Sequence, residues 1–212
     1  MFDFTKYQEI QEIIKKSGRK TKIVAISKNQ TKDQVLEAIS RKINIFGENR
    51  VQEASNKFTD LVFNEKNLEL HLTGPLQTNK TKQALEIFNV FHTLDREKLL
   101  REFSKYPDKI KNKKFFIQVN TGKEDTKSGV YPENVKYFLD LCHSYGIENI
   151  EGLMCIPPIK EDPKKHFKLI QNISFDLGLE GLSIGMSSDY LEALEYNPTY
   201  IRLGTILFGK RK

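Results

Sequence analysis

The chain has 212 residues, 38% of them hydrophobic and 29% charged, which suits one soluble domain with a sizeable core spanning residues 1–212. Its net charge of +6 comes from lysines spread along the whole chain. They form no basic stripe interleaved with aromatics, which argues against nucleic-acid binding. No apolar run is long enough to cross a bilayer, and the start, Met1-Phe2-Asp3-Phe4-Thr5-Lys6, lacks the pattern of a secretory signal, so a cytoplasmic location is expected. Cys142 and Cys155 have no Cys-x-x-Cys spacing, so neither a disulfide framework nor a zinc site is expected.

Hydrophobic periodicity then alternates from end to end. Phe4, Tyr7, Ile10, Ile13 and Ile14 predict an amphipathic helix over Asp3 to Ser17 that stops at Gly18. Lys22 to Lys28 reads as a strand buried on both faces and ending on a lysine. Thr31 is placed to cap a helix from Lys32 to Arg41 with Val35, Leu36 and Ile39 inward. Ile43 to Phe46 predicts a second strand ended by Gly47, with a helix from Glu48 towards Leu61. Leu68 to Thr73 follows as a strand, then a helix over Asn79 to Phe88, a short strand Val90 to His92, and a helix capped by Asp95 that carries Leu99, Leu100 and Phe103. Lys114 to Val119 is the clearest strand, and a polar loop over Lys123 to Gly129 leads to a helix from Glu133 to Ser144. Ile150 to Ile156, a helix around Pro163 to Phe175, and Leu182 to Ile184 come next. Ser188-Asp189 starts a helix over Tyr190 to Glu195; the strand Tyr200 to Leu203 and a helical turn opened by Gly204-Thr205 end the pattern.

Strands alternating with helices predict parallel βαβ units, and eight of them predict closure into a single (β/α)₈ TIM barrel; an open doubly wound sheet is the runner-up. No G-x-G-x-x-G follows the first strand, which weakens that alternative.

In a barrel the carboxyl ends of the strands converge on one face, where such folds place their sites. That face collects Lys28, Gly47-Glu48-Asn49, Gly74 to Lys80, His92-Thr93, Asn120, Met154, Gly185 to Asp189 and Arg202 to Thr205. Ser187, Gly204 and Thr205 follow strands seven and eight, the usual phosphate-binding loops of barrels. A strand-end lysine opposite a phosphate site suits Schiff-base formation with a phosphorylated aldehyde, and pyridoxal 5′-phosphate is such a molecule. Arg202, between the two, would face the pyridine nitrogen; as a permanent cation it would keep that nitrogen unprotonated and favour holding the cofactor over carbanion chemistry. Taken alone, each residue has a plainer reading: Lys28 as a solvent-facing strand end, Arg202 as a barrel-rim ion pair.

The blocks Ala25-Ile26-Ser27-Lys28, Phe46 to Glu53, Gly74 to Lys80, Lys127-Ser128-Gly129, Gly152-Leu153-Met154, Leu182 to Ser187 and Arg202-Leu203-Gly204-Thr205 with Phe208-Gly209 run in one order from about residue 20 onward. Together they resemble the pyridoxal phosphate homeostasis proteins, whose fold is similar to the barrel domain of alanine racemase and other fold-type III enzymes. The resemblance implies that Lys28 is the Schiff-base lysine, that Arg202 faces the ring nitrogen, that Ser187, Gly204 and Thr205 hold the phosphate, and that Asn49 lies near the ring. It also implies a monomer that buffers pyridoxal phosphate or passes it to apo-enzymes without turnover. The alternatives are an amino-acid racemase or decarboxylase, which needs an acid or base on the other face of the cofactor, and a phosphosugar barrel with an aldolase-type Lys28. Gln30 and Thr31 stand where family members often carry a second lysine and a proline, and the stretch between Pro158 and Leu182 is shorter than usual.

Other groups read as structural. His71, His92, His143 and His166 show no metal spacing, with His92 alone at a strand end. Glu48 and Glu53, five apart on an expected helix, would not share a face. Lys109 to Lys114 reads as an exposed helix end, and Lys80 and Lys127 as pocket contacts or solvent-facing side chains.

Overall fold

Every predicted strand forms, and the eight close into one parallel barrel in chain order, β1 to β8. The computed structural model describes residues 2–64 and 67–209, without the side chains of 63 and 64. The strands are β1 (Lys22–Ile26), β2 (Ile45–Glu48), β3 (Glu69–Leu72), β4 (Val90–Leu94), β5 (Lys114–Val119), β6 (Ile150–Cys155), β7 (Gly181–Ser183) and β8 (Tyr200–Leu203). Closure comes from β1 pairing with β8 over Lys22↔Tyr200, Ile23↔Ile201, Val24↔Arg202 and Ala25↔Leu203.

Strand alternation sorts the apolar residues into two cores. Val24, Val90, Phe116, Met154 and Tyr200 fill the barrel, with Ile26 and Ile45 against them. The opposite set, including Phe46, Leu70, Phe91, Phe115, Leu153 and Ile201, packs outward under the helices. Phe91, Phe103 and Phe115 form a triangle with centroids 5.2–5.3 Å apart, each such pair adding on the order of 1 kcal/mol beyond burial.

The helices are α1 (Phe4–Lys16), α2 (Lys32–Ser40), α3 (Val51–Asn64), α4 (Thr81–Ile87), α5 (Glu97–Phe103), α6 (Pro107–Ile110), α7 (Val135–Ser144), α8 (Pro163–Asp176), α9 (Tyr190–Leu194) and α10 (Thr205–Phe208). Their starts have local causes. The Asp3 carboxylate accepts the N–H of Lys6 at 2.9 Å. Thr31 and Gln34 form a reciprocal capping box at the start of α2.

Several expectations are corrected. β1 ends at Ile26, so Lys28 lies in the following turn. β2 contains Gly47 and runs on to Glu48; a Cβ at 47 would stand 2.4 Å from Ile26 Cδ1 and 2.9 Å from Val24 Cγ1, so side chains of β1 occupy the space beside the glycine. Leu36 is 40% exposed, and Ala38 takes the inward position beside Val35. Asp95 does not cap α5; its carboxylate pairs with Arg96. The lysine-rich run expected as one exposed helix end divides between the short α6 and the first residue of β5.

Candidate functional site

Lys28 sits in a four-residue turn that closes where the N–H of Gln30 donates to the carbonyl of Ser27 at 3.0 Å, with Asn29 at φ 62°. The turn is pinned from below by a buried ion cluster. Ser27 Oγ donates to Glu48 Oε1 at 2.6 Å, and the Asn29 N–H donates to Glu53 Oε1 at 2.5 Å. Lys57 Nζ joins all the parts: it lies 2.6 Å from Glu48 Oε1 and 2.8 Å from Glu53 Oε1, and donates to the Ser27 carbonyl at 2.7 Å. Glu48 is fully buried and Lys57 is 5% exposed. Two carboxylates thus share one ammonium, and the deeper one yields: burial pushes Glu48 above the usual carboxylate range against the pull of Lys57. Glu53, whose desolvation is outweighed by its bonds from Lys57 and the Asn29 N–H, is held below that range. The expectation that Glu48 and Glu53 lie apart on one helix is therefore corrected. Glu48 ends β2, Glu53 is on α3, and they meet at Lys57. The two departures from the family pattern are built in here too, Gln30 closing the turn and Thr31 capping α2.

Across the barrel mouth, two loops are tied together. Gly185 follows β7 at φ 88°, where a Cβ would stand 2.6 Å from the Cβ of Ala193, so a side chain would be both strained and blocked. The Asp189 carboxylate accepts the N–H of Met186 at 2.6 Å and bends the loop back. Ser187 Oγ then accepts the N–H groups of Gly204 at 3.2 Å and Ile206 at 3.4 Å, joining the loop after β7 to the loop after β8.

Lys28, Asn49, Ser187, Arg202, Gly204 and Thr205, all six residues expected at the site, line one cavity of about 310 Å³. Ile26, Thr73, Ile156, Met186 and Ser188 complete it. Among the described residues the lining holds two cations, several hydroxyl and amide donors and no carboxylate. Asn49 Oδ1 accepts from Thr73 Oγ1 at 2.9 Å, which fixes its amide.

Arg202 is 4% exposed and forms no rim ion pair among the described residues. Its Nη1 donates to the Ser183 carbonyl and Oγ, both at 2.6 Å, and its Nη2 to the Cys155 carbonyl at 2.9 Å. Behind Ser183 stands a file of polar groups that the sequence reading did not connect. Ser183 Oγ is 2.7 Å from His92 Nδ1, His92 Nε2 is 2.7 Å from His71 Nδ1, and His71 Nε2 is 2.8 Å from Glu69 Oε1. Burial holds both imidazoles below the ordinary histidine range. The signal available was the period-two spacing of Glu69 and His71, which puts both on the inner face of β3.

Other strand-end residues do not join the cavity. Met154 is in the barrel core. His92 lies inside the barrel behind Ser183. Asn120 ties down its own loop through the carbonyls of Glu124 and Lys127. Lys80 and Lys127 line a larger adjoining cavity of about 970 Å³, together with Arg50 and Arg96, which shares Lys28 and Asn49 with the smaller one. Both cysteines are free and buried, and burial pushes their thiols up to about 12. No cluster of metal-ligating side chains occurs among the described residues.

Known proteins show the same arrangement of chain. The family model for the alanine racemase N-terminal domain matches residues 6–212. A pyridoxal phosphate homeostasis protein of Aquifex aeolicus is 34% identical, over 97% of this chain and 95% of its own. One of Pseudomonas aeruginosa is 35% identical, over 95% of this chain and 91% of its own. The solved structure of PipY from Synechococcus elongatus without pyridoxal phosphate (PLP) is similar with a TM-score of 0.81 and 31% identity, over 90% of this chain and 93% of that one. The same protein with PLP bound gives a TM-score of 0.78 at 30% identity.

Proposed function

Because the chain belongs to the alanine racemase N-terminal domain family, we propose that it binds pyridoxal 5′-phosphate in the 310 Å³ cavity and holds it for transfer to apo-enzymes. In this reading it works as a single-domain, monomeric, cytoplasmic carrier without turnover of its own. The observation that carries the proposal is the convergence of Lys28, Arg202, Ser187, Gly204 and Thr205 on a cavity with no carboxylate in its wall among the described residues.

The donor set fits the cofactor. A dianionic phosphate needs N–H and O–H donors without competing acids; the Ser187, Ser188 and Thr205 hydroxyls border the cavity, and the Gly204 N–H, which bonds Ser187 Oγ, lies beside them. A flat heteroaromatic ring needs apolar walls, and Ile26, Ile156 and Met186 provide them. When bound, the cofactor supplies an aldehyde as electrophile and a ring that can act as an electron sink. Lys28 is the amine placed to attach to it, and Asn49, held by Thr73, borders the same space. Arg202, which we assign to the ring nitrogen, donates hydrogen bonds only; it cannot hand over a proton there, which leaves the sink weak and favours storage. Among the described residues the wall offers no imidazole, phenol or carboxylate beside Lys28 and Arg202 to move a substrate proton, which also supports storage over racemisation or decarboxylation.

The test is direct. The purified chain incubated with pyridoxal phosphate should gain a visible absorption band that persists through gel filtration, and Lys28→Ala should lose it. A wild-type chain that stays colourless would overturn the proposal. Turnover of a free amino acid by the loaded chain would overturn the carrier reading while leaving the binding site in place.

A further inference from the structure

The file behind Arg202 takes one direction when both imidazoles are neutral, the state that their complete burial favours. Glu69 at its outer end is a carboxylate, held below the usual range chiefly by its bond to His71, so it accepts and His71 carries its proton on Nε2. A neutral His71 then accepts at Nδ1, which requires a proton on Nε2 of His92. A neutral His92 accepts at Nδ1, so the Ser183 hydroxyl donates to it and keeps its lone pairs for Arg202. Each bond supports the next, and no group is asked to donate the same hydrogen twice. The rings are clamped as well: His92 stacks on Phe116 at 5.0 Å, and Tyr200 stands edge-on to His71 at 4.8 Å.

We propose that Glu69, His71, His92 and Ser183 form a one-way positioning relay through the barrel that sets the orientation of Arg202 at the cofactor cavity, and that one added proton reverses it. Nη1 of Arg202 spends both its hydrogens on Ser183, and Nη2 spends one on Cys155. Two of the roughly five guanidinium N–H groups therefore remain for a ligand. The orientation is fixed by Ser183, and Ser183 is fixed by the histidines. A proton gained by His71 at Nδ1 obliges His92 to carry its own proton on Nδ1, and Ser183 must then accept from both His92 and Arg202. The Ser183 hydroxyl hydrogen then loses its acceptor and the oxygen's two lone pairs are divided between His92 and the guanidinium, so one proton loosens the relay's hold on Arg202 while the carbonyl bond stays. The groups facing the histidine pair are Lys22 on β1, Glu69 on β3, Lys114 on β5, with Glu151 on β6 paired to it, and Tyr200 and Arg202 on β8. The cations among them oppose the added proton, so reversal belongs to acidic conditions.

The link to the cofactor rests on the proposed function, but the relay itself can be read without it. Nitrogen-15 NMR of histidine-labelled, unliganded protein at neutral pH should show His71 and His92 neutral with the proton on Nε2. A proton on Nδ1 of either ring, or a charged ring, would overturn the relay. Ser183→Ala, which spares the carbonyl bond to Arg202, should weaken pyridoxal phosphate binding on the order of tenfold, the worth of one hydrogen bond to a charged group, and displace the bound spectrum. Glu69→Gln, remote from the cavity, should weaken binding severalfold and shift its acid limb. If wild type binds the cofactor while both variants keep its affinity, spectrum and pH profile, the relay is wrong and the binding site stands. If wild type fails to bind, the proposed function falls and the NMR tautomers still decide the relay. Should Ser183→Ala fail to fold, Glu69→Gln and the NMR measurement decide alone.

Discussion

The two cations of the cavity are mounted in opposite ways. Lys28 has its backbone pinned, through Ser27 and Asn29, by the ion cluster of Glu48, Lys57 and Glu53, while its amine has no hydrogen-bond partner among the described residues. Arg202 has its head group pinned by three hydrogen bonds to uncharged oxygens. The first mounting suits a group that must reach and attach; the second suits one that must stay where it is. The material differs too. Buried charge holds the lysine side, and ordered neutral dipoles hold the arginine side.

Breaking each mounting should therefore give a different signature. The largest effect is expected from Lys57→Met, which leaves Glu48 and Glu53 without their shared ammonium. Removing one partner of a buried ion pair typically costs about 3–5 kcal/mol, so urea denaturation should show a loss of that order together with weaker cofactor capture. A loss below about 1 kcal/mol would show that charge does not hold the lysine side.

The arginine side should respond to pH instead. His71 and His92 have folded pKa values depressed by burial, so the unfolded chain binds more protons at acid pH. Their contribution to stability is present above the unfolded histidine value of about 6.5 and is lost as pH falls below it, by at most about 1.4 kcal/mol per pH unit for each ring. Denaturation midpoints between neutral pH and pH 5 should follow this slope, and His92→Phe should flatten it. An identical slope in the variant would show that the pair does not titrate with folding.

Thr31→Ala should have the smallest effect, about 1 kcal/mol from the lost cap of α2, with capture by Lys28 nearly unchanged. A large loss of capture would mean that the turn is held by α2 as much as by Lys57.

What the sequence revealed follows the same division. Lys114–Val119 and Tyr200–Leu203 are legible to the residue because apolar runs end abruptly at polar or glycine neighbours. The six cavity residues are legible because parallel closure gathers all strand ends on one face, whatever the distance along the chain. β2 lies beyond its expected end because glycine usually breaks a strand, whereas Gly47 stands within one, its open face filled by side chains of Val24 and Ile26. The relay was not legible, since His92 meets Ser183 only through contacts across the barrel and a lone histidine carries no sign of its partner. Lys57 was equally silent; its one hint is a place on α3 beside the buried Ala54 and Phe58.

The barrel's closure has a consequence of its own. Lys28 follows the first strand and Arg202 lies in the last, and those two strands are zipped together from Lys22↔Tyr200 to Ala25↔Leu203. The cavity thus straddles the seam where the two ends of the sheet meet, and it does not exist until that seam has formed. A ligand gripped from both sides acts as a clasp on the closed ring, adding about 2.7 kcal/mol at a hundredfold excess over its Kd. Amide hydrogens of β1 and β8 would then exchange more slowly in the loaded chain, so that capture also reports that the ring is shut.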